Sequence, residues 1–229
     1  MISRLNAPGN WYKQLFAWGM SKVNRADESA IAVRECDRYR SIGELKRDLL
    51  GDLSGTVVEI GPGAGNNLGY YSSEIDWVGI EPNPFMHPYL EQQAGRVGLK
   101  QARVHLGTAE KLPFEDGQID AVVGTYVLCS VENLSRSLQE ILRVLKPGGQ
   151  FIFVEHIAGQ CGTLTRTVQN AIEPAWKKAF DGCNPNRETG NALKQAGFEA
   201  VEMFDFSLSI PIVSPHLAGI ARKHGDRLF

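Results

Sequence analysis

The stretch VVEIGPGAGNN, residues 57–67, decides the fold. A short apolar run that contains one acid, Glu59, passes into a turn with glycines at Gly61, Gly63 and Gly65. In an open parallel sheet, ligands bind at the carboxyl ends of the strands, and glycine lets the backbone approach a ligand closely. A dinucleotide-binding GxGxxG pattern would need glycine at Asn66, and the Glu59 carboxylate would repel a pyrophosphate. We therefore expect a ligand that carries positive charge.

Short apolar runs alternate with amphipathic segments from about residue 56 onward. In LSRSLQEILRVL (134–145), Leu, Ile and Val recur at helical spacing, and the following KPGGQ, with Pro147, is expected to end the helix. Repeated strand–helix alternation predicts crossover connections, and therefore a doubly wound, mostly parallel, seven-stranded α/β sheet. The predicted strands are TVVEI (56–60), DWVGI (76–80), ARVHLG (102–107), DAVVGTYV (120–127), FIFVEHI (151–157), EAVEMFDF (199–206) and LAGIARK (217–223).

The composition is that of an ordinary globular protein, with 43% hydrophobic and 22% charged residues among 229. The formal net charge of −2 shows no basic excess, so we expect no nucleic-acid partner. The four cysteines are scattered and form no CxxC pair, which favours reduced thiols in a cytoplasmic protein over a disulfide framework or a zinc site. No His, Cys or carboxylate spacing suggests a metal. The oligomeric state is left open.

The first 50 residues differ from the rest. NWYKQLFAWGM (10–20) carries Trp11, Leu15 and Trp18 at helical spacing, and the charged stretch ADESAIAVRECDRYRSIGELKRDLL (26–50) follows. We interpret both as helices of an N-terminal cap or lid, residues 1–50, before a main domain at residues 51–229. The aromatic cluster is expected to pack in the core or over the site. The alternative is weak contact of this helix with a membrane surface.

A second acid, Glu81, ends the second predicted strand, twenty residues beyond Gly61. That is close to the spacing at which a carboxylate reaches ribose hydroxyls. S-adenosylmethionine (SAM) has a ribose, carries an ammonium and a sulfonium, and has no phosphate. The two acids and the glycine turn therefore favour SAM as the ligand.

Four ordered motifs resemble those of the class I SAM-dependent methyltransferases, over roughly residues 55–223. VVEIGPGAG resembles the family's E/DxGxGxG motif and GIEPNP its ribose-binding motif. GTAEKLPFEDGQIDAVVGTYVL resembles the adenine loop and fourth strand, and LRVLKPGGQFIFVEH the helix, turn and fifth strand that follow. Many relatives have an acid before the alanine of the adenine loop, where this chain has Thr108. Thr108 or Glu110 is then expected to accept from the adenine amine.

The resemblance implies a set of cofactor-binding residues. Gly61 and Gly63 would bind the methionine end, Glu59 would organise the ammonium, and Glu81 would hold the ribose. Asn83 would lie beside the adenine, and Ala109 and Glu110 would meet its edge. The full predicted set is Glu59, Gly61, Gly63, Gly65, Glu81, Asn83, Thr108, Ala109, Glu110 and Thr125.

Methyl transfer to a thiol or hydroxyl needs the acceptor's proton removed, by a side chain or by solvent. Acceptor-side candidates should follow the fourth, fifth and last strands. They are Tyr126, Cys129, Glu155, His156, Asp181, Cys183 and His216. We expect His156, Asp181 and His216 to be the catalytic ones; the alternative is that each has only a structural role, as a hydrogen-bonded histidine or a helix-ending turn.

A narrower resemblance concerns TYVLCSVEN, LRVLKPGGQFIFVEH, EPAWKKAFDGCNPNRET and PHLAGIARK. Together they are similar to the methyltransferase-like enzymes that S-methylate small alkyl thiols. This implies an acceptor pocket built by residues 173–187 and 215–219. The alternatives are O-, N- or C-methylation of a quinone-like, phenolic or lipid acceptor, a non-catalytic SAM-binding scaffold, and a nicotinamide-dependent oxidoreductase.

Overall fold

The computed structural model describes residues 10–23 and 28–225. Its helices are α1 (Asn10–Val23), α2 (Ile42–Leu50), α3 (His87–Val97), α4 (Leu134–Val144), α5 (Leu164–Ala179) and α6 (Thr189–Gln195). Its strands are β1 (Val33–Arg34), β2 (Thr56–Ile60), β3 (Asp76–Ile80), β4 (Gln101–His105), β5 (Ile119–Thr125), β6 (Leu145–His156), β7 (Ala200–Leu208) and β8 (Pro215–Arg222). None of the helices within these ranges is long and apolar enough to cross a membrane.

The strands form one sheet in the order β1–β7–β8–β6–β5–β2–β3–β4. All pairs from β6 to β4 are parallel, whereas β8 runs antiparallel to both of its neighbours. The predicted α/β class and mostly parallel sheet are confirmed. The chain winds outward from β2 to β4 and then returns to place β5 on the other side of β2. The loop after β2 therefore lies at the point where the winding direction reverses, which is where such sheets bind ligands.

Both faces of the sheet are covered, as alternation along the strands requires. Neighbours in β2 point to opposite faces: Val57 packs into the hydrophobic cluster with Leu45 of α2 and Leu90 of α3. Val58 packs into the cluster with Leu138 and others of α4. Because side chains alternate along a strand and both faces are buried, the strands are almost continuously apolar.

Several predicted elements differ from the structure in number or extent. The sheet has eight strands rather than seven, because Val33 and Arg34 pair with Leu208 and Ser207 at its edge. The predicted helix at residues 26–50 is therefore helical only in α2 and in a 3-10 turn, Glu28–Ala30, while residues 26 and 27 lie outside the described ranges. The helix before KPGGQ ends at Val144, and the KPGG segment already belongs to β6.

Helix α1 presents one face to solvent and one to the protein. Trp11, Leu15 and Trp18 are 67%, 53% and 54% exposed, so the expected core packing of these three side chains is wrong. The opposite face packs against the glycine loop and the start of α3, through Phe16, Ala17, Met20, Ala64 and Met86. Helix α1 therefore lies over the loops that follow β2 and β3. That residues 1–50 form a separate cap or lid stays a prediction.

Candidate functional site

A cavity of about 710 Å³ opens at the carboxyl ends of β2, β3 and β5, a volume within the usual range for small-molecule sites. Helix α1 contributes Lys13, Phe16 and Met20 to its lining. The residues that line it after the strands include Gly61, Gly63, Glu81, Asn83, Thr108, Ala109, Glu110, Tyr126, Ser130 and Asp181. Most of the predicted cofactor residues therefore meet in one place.

The three predicted glycines differ in role, because Gly61 and Gly63 line the cavity and Gly65 does not. Gly63 has φ +58°, and a Cβ added there would meet nothing within 4 Å, so the cavity side of the loop is open at this residue. Gly65 has φ +89°, and its Cβ would come within about 3 Å of Leu68, Leu90 and Gln93. Gly65 is thus required by packing against α3, and it does not line the cavity.

Glu81 is 5% exposed and lines the cavity at the end of β3. Its Oε2 accepts from the backbone N–H of Gly63 at 3.0 Å, and its Oε1 from that of Asn83 at 2.8 Å. Burial raises the pKa of this carboxyl, although the two N–H donors oppose that shift. Each carboxylate oxygen has two acceptor sites, so both oxygens can still accept from ribose hydroxyls.

Glu59 is 1% exposed and does not line the cavity. Its carboxylate accepts from Asn67 Nδ2 at 2.7 Å, Tyr71 Oη at 2.9 Å and Trp77 Nε1 at 3.1 Å. Burial raises the pKa of Glu59, and the three donors oppose that rise. Because Glu59 fixes the glycine loop to β3 from beneath, the predicted organisation of an ammonium by Glu59 would be indirect, through the shape of that loop.

The predicted adenine-side residues are brought together, with one exception. Asn83 donates from Nδ2 to the Lys13 carbonyl at 3.1 Å, which connects this loop to α1. Glu110 accepts from the backbone N–H groups of Glu132 and Asn133 at 2.8 and 3.2 Å. Thr125, in contrast, lies outside the lining and accepts from Asn67 Nδ2 at 2.9 Å, so its role is to support the loop.

The three predicted catalytic residues are divided between the cavity and the layer behind it. Asp181 lines the cavity, with a left-handed φ of +47°. His216 is 1% exposed, donates from Nδ1 to the Ser214 carbonyl at 2.8 Å and contacts the Tyr126 ring edge at 5.7 Å between ring centroids. Burial lowers the pKa of His216 to about 4, so the ring is neutral near pH 7. Neither His216 nor His156 lines the cavity.

Glu155, another acceptor-side candidate, positions the loop after β5. Its Oε1 accepts from the backbone N–H groups of Val127 and Leu128, both at 2.9 Å. Burial raises the pKa of Glu155 to about 7. Because Val127 and the preceding Tyr126 line the cavity, and Val127 packs against Gly61, this buried acid helps to shape the cavity wall next to the glycine loop.

Sequence spacing did not reveal that Cys129, His156 and Cys183 would meet. His156 Nε2 lies 3.1 Å from Cys183 Sγ, and Trp176 Nε1 donates to the same sulfur at 3.3 Å. Hydrogen bonds from Cys129, His156 and Trp176 lower the pKa of the Cys183 thiol. The three residues come from distant segments, so only the fold brings them together. The cavity contacts of Lys13 and Met20 were missed for the same reason.

The lining fits SAM. Gly63 leaves the methionine side open, Glu81 offers acceptors for ribose hydroxyls, and Thr108 and Ala109 form the third side of the cavity. Four acidic residues line this space, Glu81, Glu110, Glu132 and Asp181, against two basic ones, Lys13 and Arg136, which suits a cationic nucleoside.

Comparisons with known proteins agree with this geometry. Residues 58–153 match a family described as a methyltransferase domain. The human thiol S-methyltransferase TMT1A is 38% identical over 172 residues, which cover 73% of this chain and 70% of that protein. The rat thiol S-methyltransferase TMT1B is 34% identical over 201 residues, covering 81% of each chain.

Solved structures show the same fold at lower identity. The YcgJ protein of Bacillus subtilis superposes with a TM-score of 0.64 at 16% identity, covering 80% of this chain and 97% of YcgJ. The [4+2]-cyclase SpnF has a TM-score of 0.69 at 18% identity, covering 95% of each chain. The second name shows that this fold also carries chemistry other than methyl transfer, so the fold alone does not define an acceptor.

Proposed function

Because this chain belongs to the class I SAM-dependent methyltransferases, it transfers the methyl group of SAM to a small-molecule acceptor, and we propose that the acceptor atom is the sulfur of a small thiol. The observation that carries the proposal is its 34–38% identity with proteins named thiol S-methyltransferases, over more than two thirds of their length. The matched region extends well beyond the methyltransferase domain at residues 58–153.

The chain's own residues would position the reactants rather than form bonds to them. SAM supplies a methyl group on a sulfonium, which a thiolate takes with its own electron pair, leaving neutral S-adenosylhomocysteine. Glu81, the Gly61–Gly63 turn, Tyr126, Ser130 and Asp181 all line the cavity. A cavity that excludes water favours the meeting of a thiolate with a sulfonium, because the two charges cancel in the reaction.

Of the three predicted catalytic residues, Asp181 alone lines the cavity and could take the proton of the acceptor thiol directly. His156 and His216 lie behind the wall. We propose that Asp181 or solvent takes the proton. If Asp181 does so, Asp181→Asn should lower kcat for a thiol of high pKa much more than for a thiol of low pKa. Equal losses for both thiols would contradict the role.

The test of the acceptor class is a comparison of small alkyl thiols with phenols and quinols of similar size. Release of S-adenosylhomocysteine is measured for each with the full chain. We expect release with the thiols, little with the oxygen acceptors, and loss of release in Glu81→Ala. Methylation of phenols or quinols with no thiol turnover would overturn the proposal in favour of an O-methyltransferase. SAM binding without turnover on any acceptor would favour a non-catalytic role.

We also propose weak contact of α1 with membrane surfaces. Its support is the exposed stripe of Trp11, Leu15 and Trp18, which follows the helical period on the face turned away from the cavity. Co-sedimentation with vesicles that contain anionic lipid should decrease when Trp11 and Trp18 are both replaced by alanine. Equal sedimentation of the two proteins, or none by either, would contradict this contact.

A further inference from the structure

Three side chains that can bind a metal converge behind the cavity wall. Cys129 lies in the loop after β5, His156 at the end of β6, and Cys183 in the loop after α5. One Sγ, one ring nitrogen and a second Sγ all lie within 4.8 Å of one another. All three residues are buried, at 2%, 6% and 8% exposure, so the cluster is shielded from bulk solvent.

The donor set is specific in its chemistry. Two sulfurs and one imidazole nitrogen suit Zn²⁺, whereas Ca²⁺ and Mg²⁺ require oxygen ligands. Zn–S and Zn–N bonds of about 2.3 and 2.0 Å place the ligands of a tetrahedral ion about 3.5–3.8 Å apart. The 3.1 Å between His156 Nε2 and Cys183 Sγ therefore has to open by only a few tenths of an ångström.

The surrounding hydrogen bonds hold the ligands in place without an ion. Trp176 Nε1 donates to Cys183 Sγ at 3.3 Å, an N–H···S contact of the kind that orients a thiolate ligand. Asn184 donates from both its backbone N–H and its Nδ2 to the Cys129 carbonyl, each at 2.9 Å, which joins the two cysteine loops directly. Arg187 donates to the carbonyls of Leu128 and Val131, which brackets Cys129 from the other side.

The charges near the cluster also suit a divalent cation. Two cysteine thiolates would neutralise the two positive charges of the ion, and the guanidinium of Arg187 is held by the carbonyls of Leu128 and Val131.

We propose that Cys129, His156 and Cys183 bind a Zn²⁺ ion, with a water molecule as the fourth ligand. The ion takes no part in methyl transfer. It joins the loop after β5, the end of β6 and the loop after α5. The neighbours of these ligands in the chain, Tyr126, Ser130 and Asp181, line the cavity. By fixing these segments, the ion would stabilise the part of the cavity that receives the acceptor. This consequence for acceptor binding rests on the proposed thiol methylation, whereas the binding of the ion does not.

The experiment measures metal binding without any acceptor. The full chain, produced without a metal-affinity tag, is analysed for zinc and then, after chelation, titrated with Co²⁺, which gives a thiolate charge-transfer band in such sites. We expect about one zinc per chain and a band typical of tetrahedral cobalt bound by thiolates. Cys129→Ser, Cys183→Ser and His156→Ala should each weaken Co²⁺ binding at least about a hundredfold. The exposed Cys161→Ser is the matched control and should bind as the unchanged protein does.

Several outcomes would overturn the proposal. They are the absence of zinc together with the absence of the thiolate–cobalt band, a band that persists in all three variants, or a Cys129–Cys183 disulfide in the freshly prepared protein. Since a variant can fail to fold, a second measurement uses the unchanged chain: a chelator should lower its Tm, and added Zn²⁺ should restore it. An unchanged Tm would count against the site. Removal of the ion should raise KM for the thiol while leaving the Kd for S-adenosylhomocysteine within about twofold.

Discussion

The carboxylate of Glu59 accepts a hydrogen bond from the side-chain amide of Asn67 across 2.7 Å, so the acid of β2 holds the far end of the glycine loop that follows it. The same amide donates to Thr125 at the end of β5. The loop is therefore anchored on both strands that border the point where the winding reverses. The shape of the loop at the cavity therefore depends on Glu59, a buried acid that does not itself line the cavity.

Replacing Glu59 by glutamine should destabilise the protein. Glutamine keeps one acceptor oxygen where Glu59 accepts three donors, and its own N–H₂ group would face other N–H or O–H groups. We expect a loss of about 2 kcal/mol in the free energy of unfolding, measured by urea denaturation. Glu202→Gln, at an exposed position of β7, should change it by less than about 0.5 kcal/mol. Equal stability of the two variants would show that the buried network is not needed.

Replacing Glu81 by alanine should weaken cofactor binding. The variant removes the acceptor for the Gly63 and Asn83 N–H groups and, with it, the acceptors expected for the ribose. We expect at least a tenfold higher Kd for S-adenosylhomocysteine, or about 1.4 kcal/mol, by calorimetry. Glu91→Ala, at an exposed position of α3, is the control and should bind normally. A Kd within twofold of that control would exclude a role for Glu81 in the site.

Replacing Gly63 by alanine distinguishes the effect of backbone strain from the effect of a side chain that obstructs the cavity. Gly63 and Gly98 have φ values of +58° and +74°, and a Cβ at either would meet nothing within 4 Å. Both alanine variants should therefore lose a similar amount of stability, about 1 kcal/mol, from the left-handed backbone. Only Gly63 lines the cavity, so only Gly63→Ala should raise the Kd for S-adenosylhomocysteine. Weaker binding by both, in proportion to stability, would point to strain alone.

Asp120 should make stability depend on pH in the acid range. Burial would raise the pKa of Asp120, but hydrogen bonds from Lys146 and from the Thr56 N–H outweigh burial and hold that pKa below its ordinary value. A depressed carboxyl pKa stabilises the fold above the ordinary value of about 4, and this stabilisation is lost as the pH falls through the folded-state value.

The matching variant is Asp120→Asn. Since the ion pair with Lys146 is partly exposed, we expect the variant to be less stable by at most about 1 kcal/mol near pH 7. The difference in the free energy of unfolding between the variant and the unchanged protein should shrink as the pH approaches about 3. It is measured by urea unfolding at each pH. Asp52→Asn, at an exposed position before β2, provides the comparison. A difference that grows on acidification would have the wrong sign.

Much of the fold could be predicted because its signals are local. TVVEI and DWVGI are β2 and β3 residue for residue, since each is a short apolar run with a glycine or a proline close by. The meeting of Gly63 with Glu81 followed from strand ends that share one edge of a parallel sheet. What could not be predicted depends on distant partners. Glu59 turns away from the cavity because Tyr71 and Trp77 offer donors elsewhere, and Val33 is a strand residue only because β7 lies beside it.

The position of β8 has a consequence for how the chain reaches this structure during synthesis. β8 lies between β6 and β7 and is the last of the eight strands to be made. Until it emerges from the ribosome, β6 and β7 each keep an unpaired backbone edge, and the apolar β6 has no neighbour on that side. Exposed strand edges are templates for pairing with other chains. The nascent chain is therefore prone to aggregation until residues 215–222 pair with both β6 and β7.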